Sequence, residues 1–536
     1  MYASTAFFGI NGRIYTLNKN QPWAKAIFIL LNKIVAVGTT DEIKKFIQPQ
    51  TEVIDLNGKL VLPGFNDAHL HFFDGAFFLQ SIDLRDARDE QDFANRIKNF
   101  TASIPCGTWI TGGNWDHKNW ESKKRPTRDL IDPVTRKHPV FVSRLDLHIG
   151  LANSLALTLA GIDKHTPNPP GGEIVKNPKT GELTGILIDK ACDLVFRIIP
   201  ALSLTQKKKI IKQGLAHAAQ YGITSFQDNS NKSDLLVYQN LLRKGELTSR
   251  INSWFEIEEM DNFTNLGLQA NFGNDMLRVG TMKIYADGSM GAGSALFYEP
   301  YSDEPTRCGL ALNTEEQLKN KIGKADAAGL QIAIHAIGDK ANNLVLNALE
   351  KAYLENGNRK RRHRIEHAQV VTPDDLVRYR SLGVIASIQP SHLIDDMTWA
   401  EKRIGFERCK NAYRINSFFI HEIPIAFGTD WPVESLNPLL GIYAATTRKS
   451  IKGEPKGGWF PDEKISVKQA IEAYTLGSAY AEFAEHKKGS IEAGKLADIV
   501  VLSKNLLEIP ASEILNTKVI CTIVDGKIVY SKYLNC

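Results

Sequence analysis

Six cysteines in 536 residues is little, and Cys106, Cys192, Cys308, Cys409, Cys521 and Cys536 are scattered, none in Cys-x-x-Cys spacing. That argues against a disulfide-built scaffold and points to reduced thiols in a cytoplasmic setting. Long apolar runs are missing too. Ala26 to Leu31 is the longest near the start, far too short to span a bilayer, and no basic leader precedes it. Neither a signal peptide nor a transmembrane helix is expected. Net charge is only +5, which leaves no electrostatic footprint for nucleic acid. Disorder is not the default either, since 43% of residues are apolar and 23% charged. The expectation is a globular chain with a large core and more than one domain, with no nucleic-acid or membrane partner. A homo-oligomer stays open.

What is present is alternation. Val61 to Asp67, Ile223 to Gln227, Arg250 to Phe255, Val279 to Tyr285, Gln331 to His335, Arg364 to His367, Val384 to Ile388 and Ile425 to Gly428 read as eight strands. Helical patterns such as Thr205 to Tyr221, Thr314 to Ala328, Asp339 to Leu354 and Pro373 to Leu382 lie between several of them. Strand-helix units in that number predict a parallel (β/α)8 TIM barrel over 61–72 and 206–485. A doubly wound sheet is the alternative, but no Gly-x-Gly-x-x-Gly follows the first strand.

Both ends are β-rich. Phe8 to Leu17, Ala26 to Leu31, Ile34 to Gly38 and Val53 to Leu56 are short runs between turn residues. Ala497 to Leu502 and Val519 to Tyr530 match them, with Asp525-Gly526 as a hairpin signal. Residues 1–60 and 486–536 are expected to form one composite, sandwich-like β domain. Residues 73–205 break the rhythm and are far too long for a βα connection. They read as an inserted subdomain on the first barrel loop, the catalytic side, where it would cover the site.

Polar residues at the C-terminal ends of barrel strands read as catalytic. The first strand ends His69-Leu-His71, and residues two apart in a strand face one side. The fourth carries Lys283, the fifth His335, the sixth His367 and the eighth Asp430. Four imidazoles and a carboxylate converging on one mouth make a metal site. Asp430 also reads as a helix N-cap before Pro432, and Lys283 as an ion-pairing lysine with Asp287 beside it. Trp115 and His148 in the insertion are candidates to touch a substrate, although a core tryptophan and a structural histidine fit them as well.

With these residues in place, the sequence resembles the amidohydrolase superfamily. Within it, the chain is similar to the YtcJ-like branch that includes N-substituted formamide deformylases. The resemblance runs from Asn11-Gly-Arg-Ile-Tyr15 through Pro63-Gly-Phe-Asn-Asp-Ala-His-Leu-His71 to Gly489-Ser-Ile-Glu-Ala-Gly-Lys-Leu-Ala-Asp498. Leu151 to Leu157, Pro170-Gly-Gly-Glu173 and Lys283 to Ser289 are more particular to the branch. It implies that His69, His71 and Asp430 hold one divalent metal, most simply zinc, and His335 and His367 a second. It also implies a carboxylated Lys283 bridging the two. One departure is that Met290-Gly-Ala-Gly293 stands where the branch commonly has Leu-Gly-Ser-Arg. The implied activity is hydrolysis of a linear, non-peptide amide of a small molecule, with Asp430 as general acid and base. Hydrolytic deamination, cyclic-amide hydrolysis, or a barrel kept for binding without turnover are the alternatives.

Overall fold

The computed structural model describes residues 6–49, 51–144, 148–357 and 359–532, leaving aside the side chains of 6–8 and 119. Eight parallel strands follow one another in chain order: β1 (Phe65–Leu70), β2 (Ile223–Asn229), β3 (Arg250–Glu256), β4 (Leu277–Tyr285), β5 (Gln331–Ala336), β6 (Arg364–His367), β7 (Ile385–Ile388) and β8 (Ile425–Phe427). Nearly every residue in them is buried, as strands covered on both faces must be. Two backbone bonds at the top close the ring between first and last. Asp430 N donates to His69 O at 2.7 Å, and His71 N to Trp431 O at 2.8 Å. Gly428 makes that approach possible, because a Cβ there would lie 2.6 Å from His69 N.

Between the strands run α1 (Leu204–Gln220), α2 (Lys232–Arg243), α3 (Glu315–Ala327), α4 (Asp339–Glu355) and α5 (Pro373–Leu382). Their starts are written in the sequence. Asn231 and Thr314 close capping boxes with Asp234 and Gln317, and Pro373 occupies the first turn of α5. In α3, Leu318, Ile322 and Ala325 form the buried stripe.

The run Val61 to Asp67 is two strands, not one. Leu60–Pro63 pairs antiparallel with Ile499–Leu502 and parallel with Arg13–Tyr15. The break is Gly64, where a Cβ would meet the Thr224 side chain at 2.2 Å. The barrel therefore begins at Phe65, and the terminal sheet extends three residues past the expected boundary. Phe8 to Leu17 likewise divides. At Asn11, with φ 55°, and Gly12 the chain leaves the strand Ala6–Ile10 for Arg13–Tyr15 in the other sheet.

One terminal sheet has four strands; the other has six and mixes both ends of the chain. Ile27, Ile54, Val61, Ile499, Val501 and Ile523 pack between them. The hairpin Val519–Val524 to Lys527–Ser531 turns on Asp525 and Gly526, both with positive φ as a tight primed turn requires.

Residues 74–210 form a compact unit of their own, with a six-stranded sheet. In it Ile110–Trp115 runs parallel to Val140–Arg144, over a core of Phe93, Trp115, Trp120 and Ile131. Among the described residues, no helix is long and apolar enough to cross a membrane.

Candidate active site

The upper ends of β1, β4, β5 and β6, with the turn after β8, bring His69, His71, Lys283, His335, His367 and Asp430 around one cavity of about 490 Å³. A larger surface groove, about 750 Å³, lies between charged side chains of α3 and α4 and holds no such cluster.

His69 is fixed first. Its Nδ1 lies 2.6 Å from Glu366 Oε2, with both side chains buried. Arg364 grips Glu366 in turn and donates to Ala68 O at 2.8 Å and Ser387 Oγ at 2.6 Å. A carboxylate facing Nδ1 makes that nitrogen the donor and leaves the Nε2 lone pair toward the cavity. Nε2 stands 3.5 Å from Asp430 Oδ1 and 3.4 Å from Lys283 Nζ. His71 Nε2 is 3.4 Å from the same Asp430 oxygen. The donor atoms of His69, His71 and Asp430 all lie within 4.8 Å of one another.

A second group meeting the same limit is His367, His392 and Asp430. His392 Nε2 lies 3.8 Å from Asp430 Oδ2, and its ring stacks on His367 at 6.1 Å. The His335 ring is 4.4 Å from that of His367, but its Nε2 faces Gly288 O at 3.3 Å. His367 thus meets His392 and Asp430 within that limit, while its ring also lies against that of His335.

The backbone is strained where it aims these groups. His367 has φ 71° and Asp430 φ 57°, the left-handed region that His and Asp tolerate better than most residues. Asp67 secures the turn below Asp430. It accepts from His69 N at 3.1 Å, Thr429 N at 3.0 Å and Thr429 Oγ1 at 2.6 Å.

Burial pushes His69 down to about 4 and His335 to about 3, with Lys283 adding to both, so these imidazoles are neutral donors near pH 7. Burial alone would raise Asp430, yet His69, His71 and His367 hold it well below the usual carboxylate range. Burial also lowers Lys283. Asp287 is not its partner: it accepts from the backbone of Leu296, Ile337 and Gly338, and burial raises it to about 7. Nor does Asp430 cap a helix, since the next one begins at Pro438.

Asp430 Oδ1, His367 Nδ1 and His392 Nε2 are buried without a hydrogen-bond partner. Native proteins rarely leave such atoms unmet. A carboxylate oxygen and neutral imidazole nitrogens at one point are the ligand set of a divalent cation, so the residues fit a metal.

The insertion residues behave differently. Trp115 has no exposed surface and donates Nε1 to Val142 O at 3.1 Å, so the expectation of a substrate contact is corrected to a core residue. His148 is exposed, with Nδ1 2.7 Å from Asp189 Oδ1 in its own unit. Glu366 and His392 were not singled out from the sequence. Glu366 sits two residues after Arg364 on a strand whose histidine drew the attention. Gln389-Pro-Ser-His392 follows β7, one of three strand ends without a candidate in the sequence.

Residues 52–530 match the model of an amidohydrolase family. The chain is 36% identical to Protein LONG AFTER FAR-RED 3 of Arabidopsis thaliana, over 97% of this chain and 91% of that protein. It is 32% identical to the putative amidohydrolase YtcJ of Bacillus subtilis, over 97% and 98%. It is 26% identical to the N-substituted formamide deformylase of Arthrobacter pascens, over 98% of each. Among solved structures, an uncharacterised metal-dependent hydrolase from Pyrococcus furiosus superposes with TM-score 0.78 at 29% identity, covering 94% of this chain and all of that one.

Proposed function

The chain belongs to the amidohydrolase family, and from that premise we propose that it cleaves a linear, non-peptide carbon–nitrogen bond in a small molecule. That it is a metal-dependent hydrolase follows from the family; the bond and the metal are our reading. One observation carries it. Asp430 Oδ1, buried and without a hydrogen-bond partner, lies 3.4–3.5 Å from the Nε2 atoms of His69 and His71 at the cavity wall. The relative named a formamide deformylase supports a linear amide as the bond.

His69, His71 and Asp430 would hold one divalent ion, and His367 with His335 or His392 a second. Lys283, buried with its ammonium disfavoured, is the amine suited to carboxylation and bridging. The metal, zinc in our reading, would supply Lewis acidity toward a carbonyl and acidify water. Asp430 takes the proton of the water that attacks the carbonyl carbon. As the carbon–nitrogen bond breaks, Asp430 passes that proton to the leaving nitrogen. The products are a carboxylic acid and an amine. Glu366 keeps His69 in the tautomer whose Nε2 faces this chemistry.

The test is a panel of N-substituted formamides and longer acyl amides offered to the metal-loaded protein, with free amine as readout. Stoichiometric amine and acid, abolished by chelation and restored by zinc, is the expected result. Ammonia released from a ring substrate would replace the reading with deamination. Metal-replete protein that turns over nothing on the panel would favour a binding role.

A further inference from the structure

One wall of the cavity is acidic. Asp395 and Asp396 follow His392 on the short helix after β7, and Glu434 follows Asp430 by four residues. With Asp430 they make four carboxylates lining one cavity, whose single ammonium is Lys283 at its buried base. Asp396 is held in place by Tyr413 OH at 2.6 Å and Gln369 Nε2 at 2.5 Å. Among the described residues, neither Asp395 nor Glu434 has a cationic side chain within 4.0 Å.

Two guanidiniums beside the loop that follows Met290 are engaged elsewhere. Arg403 and Arg307 approach Gly293, but Arg403 pairs with Asp303 and Glu304, and Arg307 with Glu304. Trp399, which also lines the cavity, lies 3.7 Å from where a Cβ of Gly291 would stand, so the glycine leaves that part of the ring uncovered. Burial and the neighbouring Asp395, Asp396 and Asp430 push Glu434 up to about 8, so near neutral pH it takes up its charge when a cation sits beside it.

An active-site wall with carboxylates in excess, beside an aromatic face, is complementary to a cation and repels an anion. We propose that the substrate carries a protonated nitrogen, an alkylammonium or amidinium, seated between Glu434, Asp395 and Trp399 while its scissile bond lies at the histidine cluster. The proposal rests on the amide-hydrolase reading above and adds the charge class of the substrate to it. Glu434 and Asp395 are then specificity-determining residues, and a substrate with a carboxylate at that end is excluded.

Three linear N-alkylformamides of equal length, ending in an ammonium, a methyl or a carboxylate, test it on the metal-loaded protein. The ammonium compound should exceed the methyl compound in kcat/KM by roughly tenfold, the effect of two partly exposed charge pairs, and the carboxylate compound should be worst. D395N/E434Q should lose that preference, and E434K should move it toward the carboxylate. Calorimetric binding of hexylammonium against hexanol reads the same wall without turnover. If hexylammonium binds better but no formamide is cleaved, the hydrolase reading fails and the charge class stands. If formamides are cleaved with equal kcat/KM at all three ends, or the ratio survives in D395N/E434Q, the proposal falls. It falls equally if D395N/E434Q loses one equivalent of bound metal, because the acids would then be a metal site.

Discussion

The two ends of the same barrel treat buried polar groups in opposite ways. At the floor, every hydrogen-bonding atom of Asp326 is used. Its carboxylate takes Arg361 Nε at 2.7 Å, Asn356 Nδ2 at 2.8 Å, His363 Nε2 at 2.9 Å and Arg359 Nη2 at 2.9 Å. Arg250, at the start of β3, pairs with both Asp498 and Asp525 and ties the barrel to the terminal sheets. Lys488 meets Glu482 at 2.6 Å, with both side chains buried. At the mouth, Asp430 Oδ1, His367 Nδ1 and His392 Nε2 go without partners, the first two residues on a backbone with positive φ. Saturated pairs serve the fold, whereas unmet donors and acceptors in a cavity await a ligand. Substitutions at the two ends should therefore fail in different ways.

The largest effect belongs to the mouth. Asp430→Asn keeps the size and a carbonyl oxygen but cannot carry the proton. Turnover of an accepted amide should fall by roughly 10²–10⁴-fold, the usual worth of a positioned proton carrier. The melting temperature should hardly move. Near-normal turnover in this variant would strike Asp430 from the mechanism and erase the contrast between the ends.

At the floor the order reverses. Asp326→Asn strips a buried carboxylate from four cationic or donor side chains, and stability should fall by about 3–5 kcal/mol. Turnover per folded molecule should stay unchanged. Burial would raise Asp326, but His363 and Arg361 hold it far below its ordinary value. A depressed carboxylate contributes stability that is present above the unfolded value near 3.8 and lost as pH falls toward the folded one. Melting curves should thus show the full difference from the unsubstituted protein at neutral pH, shrinking only in acid below that unfolded value. A gap that closes already between neutral pH and mild acid would contradict the assignment.

Between these lies Glu366, buried like a floor residue but serving the mouth through His69. Glu366→Gln removes the charge that fixes the His69 tautomer. Metal affinity, read by chelator competition, should drop roughly 10–100-fold, the range for partners that orient ligands. Arg364 loses its carboxylate as well, so the melt of metal-loaded protein separates the two losses. Unchanged affinity would mean that His69 needs no orienting partner.

How much of this was legible follows from the same contrast. The barrel was readable because most strands are short apolar runs and α1, α2, α3 and α5 begin on a side-chain cap, which are local signals. The residues gathered at the mouth were readable where they end a strand, as His69, His335 and His367 do. Glu366 was hidden because its role depends on a partner 297 positions away. His392 was hidden because it lies beyond its strand, on a helix whose direction only the packed structure shows. The split at Gly64 depends on a collision with Thr224, a contact that no local pattern announces.

The smallest effect tests whether the criterion extends beyond the barrel. Trp115 was a candidate substrate contact in the insertion, and the mouth's logic would have it offer an unmet group. The structure gives it the floor's character instead. Its ring has no exposed surface, it packs edge-on to Phe93 with centroids 6.3 Å apart, and its one donor is spent on Val142 O. Trp115→Phe deletes that bond and part of the indole, leaving a buried carbonyl acceptor and a small void. The cost should be about 1–3 kcal/mol, read in the melt. KM and kcat should stay where they are, because no atom of the indole reaches solvent. A substrate contact predicts the reverse: a raised KM with an unmoved melt. That outcome would show that saturation of polar groups in this structure does not separate scaffold from site, and the assignment of Asp430 would then rest on its own substitution alone.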